Sequence, residues 1–209
     1  MKGSFEDEAG FNNRRTVQVY EGYARQYAAA VPQEASGLAK EGIQRLAAIV
    51  SNGTILEVGS GPGWDADFAE SLGLTVRRTD VTQTFRESQT ERGKAVEPLD
   101  ILVDEFGGPY DGVVALYVLQ HIDRDQMGSV LGKVSRALKT DGVFLVSLRE
   151  GEGDIWERNQ KSGDYHVVLW SEANFVHSLA EVGLQVLWTE RDADNDGDWL
   201  VLLAQKQQA

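Results

Sequence analysis

The stretch Thr54-Ile55-Leu56-Glu57-Val58-Gly59-Ser60-Gly61-Pro62-Gly63-Trp64-Asp65 decides the fold of this chain. An apolar run reaches an acid, three glycines follow at alternate positions, and a helical pattern then begins. Glycine is needed where the backbone takes a positive φ or where a ligand approaches it closely. The order predicts a strand, a tight turn and a helix, and such a turn in an open α/β sheet is a small-ligand site. Because glycine triplets also mark dinucleotide sites and plain turns, the rest of the chain must decide.

Strand and helix patterns alternate on both sides of this turn. Two helices are predicted within residues 11–50, before the first strand, and they form a cap. Apolar runs at 74–79, 111–119 and 143–148 predict further strands, and helices are predicted between them at 64–72, 82–92 and 125–138. A further strand is predicted within 96–102, but its signal in the sequence is weaker because Pro98 interrupts the run.

The last part of the chain contains a candidate lid. Residues 149–170 show no clear periodicity and carry several glycines and aromatic residues, which predicts a lid or binding loop. A helix capped by Ser171 follows, and two strands at 184–189 and 199–205 predict a β-hairpin. We predict one domain over residues 1–209, with a cap at 11–50 and a core at 51–209. Its architecture is an α/β three-layer sandwich, parallel except at one edge of the sheet.

The composition is that of an ordinary globular protein. Of 209 residues, 42% are hydrophobic and 25% are charged, as expected for a soluble single domain. Lys and Arg number 20 against 33 Asp and Glu, so the formal net charge is −13. Because binding of DNA or RNA requires a basic surface, this balance predicts no nucleic-acid partner.

Several chemistries are excluded by residue types that the chain lacks. It has no cysteine, so it has no disulfide, no thiolate nucleophile and no cysteine-bound metal. His166 and His177 lack ligand spacing, and we predict no metal site. No run approaches the length of a membrane span, and the first ten residues do not form a signal peptide. We therefore predict a cytoplasmic protein with no membrane partner.

The chain resembles the class I S-adenosylmethionine-dependent methyltransferases and, more narrowly, the small bacterial members that act on small molecules. The resemblance covers roughly residues 17–205, and the third-strand region departs from it most. It implies a Rossmann-like methyltransferase sandwich with a mostly parallel sheet and an antiparallel C-terminal strand. The residues that carry it are Glu57-Val58-Gly59-Ser60-Gly61-Pro62-Gly63, Asp80, Asp100-Ile101, Tyr117-Val118-Leu119-Gln120-His121-Ile122, Ser147-Leu148-Arg149-Glu150-Gly151-Glu152-Gly153 and Trp170-Ser171-Glu172.

The resemblance implies S-adenosyl-L-methionine as the cofactor and assigns residues to its methionine and ribose. The turn would pass beneath both groups through Gly59, Ser60, Gly61 and Gly63. Glu57 would receive the amino group. Asp80 would accept hydrogen bonds from the ribose hydroxyls, since hydroxyls are donors and a carboxylate is an acceptor. An alternative for such a strand-end acid is that it only caps a helix or turn.

Further residues are assigned by the same resemblance to adenine and the sulfonium. Val81 would pack on adenine, Ile101 would lie on the ring face, and Asp100 would take the adenine amino group unless it only caps a turn. Leu116 and Gln120 would line the floor near the sulfonium.

Residues of the cap and of the first turn of a helix complete the assignment. Tyr20 and Tyr27 would close over the cofactor, where a ring face suits a sulfonium cation, or they are simply core aromatics. Asp65 would help cap the helix that it begins or face the methionine amine.

The acceptor side is less defined. His121 is the candidate general base, with a structural role as the alternative. Candidate substrate contacts in the lid are Arg149, Trp156, Tyr165 and His166.

The favoured function is transfer of a methyl group from S-adenosylmethionine to a small-molecule acceptor, at oxygen or nitrogen. The sulfonium brings its own activation, so the protein mainly aligns the nucleophile and excludes water. A base is needed only where the acceptor must lose a proton. One alternative is a cofactor-binding partner protein without catalysis. Another is an NAD-dependent dehydrogenase, although the dinucleotide fingerprint leaves two residues before its last glycine.

Overall fold

The structure of the protein is a computed structural model, and it describes residues 10–158, 163–194 and 197–208. The helices are α1 Phe11–Ala30, α2 Gly37–Val50, α3 Trp64–Ser71, α4 Gln83–Glu91, α5 Arg124–Ala137 and α6 Glu172–Glu181. The strands are β1 Thr54–Val58, β2 Thr75–Asp80, β3 Val96–Pro98, β4 Tyr110–Ala115, β5 Leu138–Arg149, β6 Asp154–Glu157, β7 Tyr165–Val168, β8 Leu184–Asp194 and β9 Gly197–Lys206.

Seven of these strands form one sheet in the order β3-β2-β1-β4-β5-β9-β8. Strand β9 runs antiparallel to both of its neighbours, β5 and β8, and the other pairs are parallel. This confirms the predicted α/β sheet with an antiparallel C-terminal strand. The chain order reverses between β1 and β4, and in open α/β sheets this reversal leaves a crevice at the carboxyl ends of the strands.

Helices cover both faces of the sheet because the central strands are apolar on both sides. Along β1, Ile55 packs in the cluster that contains residues of α2, whereas Leu56 packs in the cluster that contains residues of α5 and α6. Alternate side chains of a strand point to opposite faces, so a strand buried on both sides reads as a continuous apolar run. The apolar periodicity predicted for the α5 region is confirmed, since Met127, Val130 and Leu131 are buried.

The fourth strand is shorter than its apolar run predicts. The predicted strand covers 111–119, but β4 ends at Ala115 and a short 3₁₀ helix, Leu119–His121, follows. Between them, Tyr117 adopts a left-handed backbone with a φ of 61°, which no strand accommodates. Leu119 is fully buried, so the apolar run continues because of burial and not because of extended backbone.

The region 149–170, predicted as a loop, contains a two-stranded antiparallel sheet. Strand β5 extends to Arg149, and β6 pairs with β7 from Asp154↔Val168 to Glu157↔Tyr165. Residues 159–162, between the two strands, lie outside the described residues. The side chains of β6 are mostly exposed, so no alternating hydrophobic pattern marks this hairpin in the sequence. We call β6 and β7 the lid hairpin.

The C-terminal hairpin is confirmed, with strands longer than predicted. Strands β8 and β9 stay paired to Asp194↔Gly197, inside the segment 191–198 that was predicted as a turn. That end of β8 is polar and exposed, so no alternating hydrophobic pattern indicates that its backbone is extended. Among the described residues, no helix is both long enough and apolar enough to cross a membrane.

Candidate active site

A cavity of about 430 Å³ lies at the carboxyl ends of the parallel strands. The loops after β1, β2 and β4 line one side of it. Helix α1 closes over it, and the far side is formed by the end of β5, the lid hairpin and the C-terminal hairpin. Ligand sites of this size are typical for small molecules. All residues predicted to bind the cofactor line this cavity except Gly63; they are Tyr20, Tyr27, Glu57, Gly59, Ser60, Gly61, Asp65, Asp80, Val81, Asp100, Ile101, Leu116 and Gln120.

The glycine turn takes the left-handed backbone that its sequence predicts. Gly59 has a φ of 67°, and a Cβ there would lie 2.4 Å from Val118 Cγ2. Gly63 has a φ of 83° and precedes α3, and a Cβ there would lie 2.3 Å from Gln89 Oε1. Gly63 therefore packs against α4 and not against the cavity. A glycine is required at both positions, for different neighbours.

Two residues beneath the turn fix its shape. Gln89 Nε2 donates to Ser60 Oγ at 3.0 Å and to the Gly61 carbonyl at 2.9 Å. Arg78 Nη1 donates in turn to Gln89 Oε1 at 3.0 Å and to the Gly63 carbonyl at 3.2 Å. Arg78 is buried, and Asp67 and Glu70 balance its charge at 2.7 and 2.8 Å. Sequence reasoning missed this support, because nothing local distinguishes a buried glutamine from an exposed one.

Glu57 is a buried carboxyl group at the cavity, and one of its oxygens can still accept a hydrogen bond. It is 5% exposed, and its Oε2 has no hydrogen-bond partner among the described residues. Burial raises the pKa of Glu57 to about 8, with the Ser60 hydrogen bond acting against this shift and Asp65 adding to it. Burial also raises the pKa of Asp65 to about 6. A buried acceptor without a donor is costly, so a cationic donor group in the cavity would stabilise it.

Asp80 is both a cavity residue and an anchor of the turn. Its Oδ2 accepts from the Gly61 N–H at 2.7 Å, and its Oδ1 accepts from the Thr82 N–H at 2.7 Å. Burial raises its pKa, against these two hydrogen bonds. Each carboxylate oxygen has a second lone pair, so the capping role and the predicted ribose role are compatible.

Asp100 also combines a cap with a position on the cavity. Its Oδ1 accepts from the Leu102 N–H at 2.9 Å, and its backbone N–H donates to Asp104 Oδ2 at 2.8 Å. The aspartate therefore shapes the turn after β3, and Ile101, which also lines the cavity, is buried within it.

The roof of the cavity is aromatic. The ring of Tyr20 lies 5.9 Å from that of Tyr27, 5.7 Å from that of His121 and 6.1 Å from that of Tyr165. Phe85 of α4 closes the group, at 5.9 Å from Tyr27. The helical stripe that predicted Tyr20 and Tyr27 on one face thus presents both rings to the cavity.

Both ring nitrogens of His121 contact protein groups. Nδ1 lies 3.0 Å from the His166 carbonyl, which can only accept, so Nδ1 carries the proton and Nε2 carries the lone pair. Nε2 lies 3.3 Å from Gln120 Nε2. Burial lowers the pKa of His121 to about 4. The imidazole is therefore neutral at physiological pH.

Only two of the four predicted substrate contacts in the lid line the cavity. Arg149 and Tyr165 line it, whereas Trp156 and His166 do not. Trp156 is 42% exposed and stacks with Arg15 at 4.5 Å. His166 is buried, with Nε2 at 2.7 Å from Asp154. The pairing of β6 with β7 turns these two side chains away from the cavity.

Sequence reasoning missed part of the far wall. The residues concerned are Tyr117, Glu157, Asp194 and Trp199, all of which line the cavity. The positive φ of Tyr117 is invisible in sequence. Glu157 lies in the predicted lid and Asp194 in the predicted turn. Trp199 begins a predicted strand, but its pairing with Arg149 is not set locally.

Comparison with known proteins identifies the family. Residues 25–189 match a family described as a methyltransferase domain. Among curated proteins, none matches the chain.

Solved structures are similar in fold at low sequence identity. One is 1,6-didemethyltoxoflavin-N1-methyltransferase from Burkholderia thailandensis, with 18% identity, a TM-score of 0.71 and coverage of 100% of this chain and 92% of that chain. Magnesium protoporphyrin IX methyltransferase from Synechocystis PCC 6803 has 13% identity, a TM-score of 0.71 and coverage of 93% and 100%. The CcbJ methyltransferase from Streptomyces caelestis has 15% identity, a TM-score of 0.70 and coverage of 91% and 98%.

These similarities agree with the order of motifs along the chain and with the topology of the sheet. The family match spans most of the sequence, and the resemblance inferred from the glycine turn and the later acids is confirmed. The chain belongs to the methyltransferase domain family and is a class I S-adenosylmethionine-dependent methyltransferase.

Proposed function

We propose that this chain transfers the methyl group of S-adenosylmethionine to an oxygen or nitrogen atom of a small-molecule acceptor. One observation carries the proposal: a single cavity joins the glycine turn and its acids to a second wall with its own polar groups. A donor and an acceptor can therefore lie side by side, which is what in-line displacement requires. The related Burkholderia thailandensis enzyme was crystallised with 1,6-didemethyltoxoflavin and S-adenosylhomocysteine.

The chemistry of the cofactor half fits the donor. Glu57 Oε2 and Gln120 Oε1 are buried acceptor oxygens without partners among the described residues, and the methionine ammonium is a triple donor. Asp80 would accept from the ribose hydroxyls. Val81 and Ile101 would hold the adenine ring, with Asp100 receiving its amino group.

The aromatic roof suits a sulfonium. Tyr20 and Tyr27 lie edge to face at 5.9 Å, and the face of an aromatic ring attracts a cation. When bound, the cofactor supplies an activated methyl group and a neutral thioether leaving group. The contribution of this chain is to orient the acceptor and to exclude water, for which α1 and the lid hairpin form the cover.

His121 remains the candidate base for an acceptor that must lose a proton. Its neutral imidazole has its lone pair on Nε2, and burial lowers its pKa to about 4. Gln120 Nε2 lies 3.3 Å from this nitrogen, so acting as a base requires Gln120 to turn away. The alternative role is to fix Gln120, whose Nε2 also donates to the Tyr117 carbonyl at 2.8 Å.

Calorimetry and mass spectrometry test the proposal. We expect purified protein to bind S-adenosylhomocysteine and not NAD in titrations. Incubation with S-adenosylmethionine and a broad panel of small phenols, amines and heterocycles should then yield a methylated product. Binding of NAD alone would overturn the proposed donor. Tight cofactor binding without any product would favour a non-catalytic cofactor-binding protein.

A further inference from the structure

The far wall of the cavity contains a buried guanidinium with an unused donor. Arg149 is 6% exposed, and its Nη1 donates to Glu157 Oε1 at 2.7 Å. Glu157 Oε2 accepts from the Tyr165 hydroxyl at 2.5 Å. Arg149 Nε is buried and has no partner among the described residues. A buried N–H without an acceptor is costly, so a ligand that offers one would be stabilised here.

Two aromatic rings stand beside this donor. The guanidinium carbon of Arg149 lies 5.1 Å from the centre of the Trp199 ring. The Tyr117 ring lies 5.0 Å from Trp199 at an interplanar angle of 80°. Aromatic rings prefer to pack with other rings in edge-to-face or offset arrangements, so this wall suits a flat ligand.

Backbone strain holds one of these rings in place. Tyr117 has a φ of 61°, an unfavourable conformation for a bulky residue. Its N–H donates to Ser147 Oγ at 2.7 Å, and its carbonyl accepts from Gln120 Nε2 at 2.8 Å. Strain that is kept by dedicated hydrogen bonds at a cavity wall points to a function for the side chain.

The charges of the wall select against anions. Arg149 is the one Lys or Arg side chain that the described residues contribute to the cavity, and Glu157 already neutralises it. Asp194 adds a further carboxylate, which accepts from Trp199 Nε1 at 3.0 Å. Among the described lining residues, an acceptor carboxylate would find no lysine or arginine other than Arg149, which is already paired with Glu157, and this makes burial of the carboxylate unfavourable.

We propose that Arg149, Trp199 and Tyr117 form an acceptor subsite for an uncharged aromatic molecule that presents a carbonyl oxygen or ring nitrogen to Arg149 Nε. This inference rests on the proposed function, since it describes the recipient of the methyl group. The aromatic ring packs against Trp199 and Tyr117, and the carbonyl or ring nitrogen accepts from the guanidinium. The reacting hydroxyl or amine then lies on the side of the cofactor.

Matched acceptors test the subsite. The panel pairs meta-hydroxybenzamide with meta-hydroxybenzoate, includes their saturated-ring counterparts, and extends the same pairs to hydroxylated pyridines and quinolines. Binding to the protein saturated with S-adenosylhomocysteine is measured by calorimetry, and methylation with S-adenosylmethionine is measured by mass spectrometry. We expect the uncharged aromatic member to be preferred at least roughly tenfold, because a carboxylate brings an unpaired charge into the cavity and a saturated ring loses the aromatic contact with Trp199 and Tyr117.

Variants locate the effect. Arg149→Lys keeps the charge opposite Glu157 but lacks Nε, so it should raise the KM of the aromatic acceptor roughly tenfold and leave the Kd of S-adenosylhomocysteine unchanged. Trp199→Phe is a second variant, and it keeps an aromatic ring. It should therefore weaken binding of the acceptor less than Arg149→Lys does. Arg191→Lys is the matched control, because Arg191 pairs with Glu150 and Glu172 on the surface.

The outcomes separate this inference from the proposed function. Failure to bind S-adenosylhomocysteine would overturn both. Cofactor binding with a preference for carboxylate or saturated acceptors, or with no acceptor of the panel bound or methylated, would overturn the subsite alone. So would an Arg149→Lys variant that behaves as Arg191→Lys does.

Discussion

The backbone N–H of Gly61 donates to Asp80 Oδ2 at 2.7 Å, so the acid at the end of β2 holds the glycine turn at the end of β1. The two groups lie on neighbouring parallel strands, and the carboxyl ends of such strands meet at one edge of the sheet. The residue predicted to recognise ribose thus also sets the shape of the turn beneath it. Loss of its carboxylate would act on binding in two ways.

Replacement of Asp80 by Asn should weaken cofactor binding. The amide nitrogen cannot accept a hydrogen bond, so the N–H of Gly61 or of Thr82 loses its acceptor, and a single oxygen is left to accept from the ribose hydroxyls. We expect a loss of about 1–3 kcal/mol in binding of S-adenosylhomocysteine, measured by calorimetry. Asp111→Asn is the control, since Asp111 accepts from the Thr54 N–H at 2.8 Å but is not a cavity residue. Equal affinity of wild type and Asp80→Asn would rule out a role of Asp80 in binding.

The glycine turn and its acids could be predicted because their determinants are local. Glu57 and Asp80 stand at the ends of apolar runs, and parallel strands bring such ends together whatever the rest of the chain does. The stripe of Tyr20 and Tyr27 follows from helical periodicity in the same way. These features needed no knowledge of distant neighbours.

Apart from Arg149 and Tyr165, the far wall of the cavity could not be predicted, because it depends on pairing between distant segments. Arg149 meets Glu157 only when the lid hairpin folds back, and β6 carries no alternating hydrophobic pattern. Trp199 reaches the cavity because β9 pairs with β5 in the register Arg149↔Trp199. Register between distant strands is set by the packing of the whole sheet, which a single sequence does not display.

Ionisation of Glu57 should couple cofactor affinity to pH. Below its raised pKa of about 8 the free protein holds Glu57 protonated, whereas an ammonium group favours the carboxylate. Binding at pH 7 should therefore release up to about one proton. Titration in buffers of different ionisation enthalpy measures this release, and Glu57→Gln should abolish it. Proton uptake, or the same release from Glu57→Gln, would contradict the assignment of the amino group to Glu57.

The same residue should lower the stability of the free protein at neutral pH. Its folded pKa of about 8 exceeds the ordinary value of 4.5, so between these values the folded state binds more protons than the unfolded state. The contribution of Glu57 to the free energy of unfolding therefore falls as pH rises from 4.5 to 8. We expect the free energy of unfolding of Glu57→Gln to rise relative to that of wild type across this range, by on the order of 4 kcal/mol at pH 8. Urea unfolding at several pH values measures this difference. The prediction would be contradicted if the free energies of unfolding of the variant and wild type changed with pH in parallel.

His121 should have the opposite effect on stability. Burial lowers its folded pKa from 6.5 to about 4, so between these values the unfolded state binds more protons. Its contribution to the free energy of unfolding is lost as pH falls from 6.5 towards 4. In His121→Asn, an amide N–H can still donate to the His166 carbonyl. Between pH 6.5 and 5, the free energy of unfolding of this variant should fall by about 1–2 kcal/mol less than that of wild type. A steeper acid loss in the variant would show that His121 is charged when folded.

A carboxylate of α1 holds this helix over the cavity. The Glu21 carboxylate accepts from the Gln83 N–H at 2.5 Å and from the Thr84 N–H at 3.1 Å. Thr82, at the N-cap of α4, makes no capping hydrogen bond of its own, so Glu21 of α1 caps α4 from another helix. The positive end of a helix dipole favours an acid there. Glu21 therefore joins the helix that carries Tyr20 and Tyr27 to the helix that follows Asp80.

Removal of this cap should destabilise the protein and open the roof. We expect Glu21→Ala to lose about 1–2 kcal/mol in unfolding and to release S-adenosylhomocysteine faster, because α1 is then held less firmly over the bound cofactor. Arg25→Met is the matched control, since Arg25 joins the same two helices through Glu91 but both side chains are more than half exposed, and such pairs contribute little. Urea unfolding and stopped-flow dissociation measure the two effects. If Glu21→Ala were destabilised but released the cofactor at the wild-type rate, the cofactor would leave by a route that does not require α1 to move.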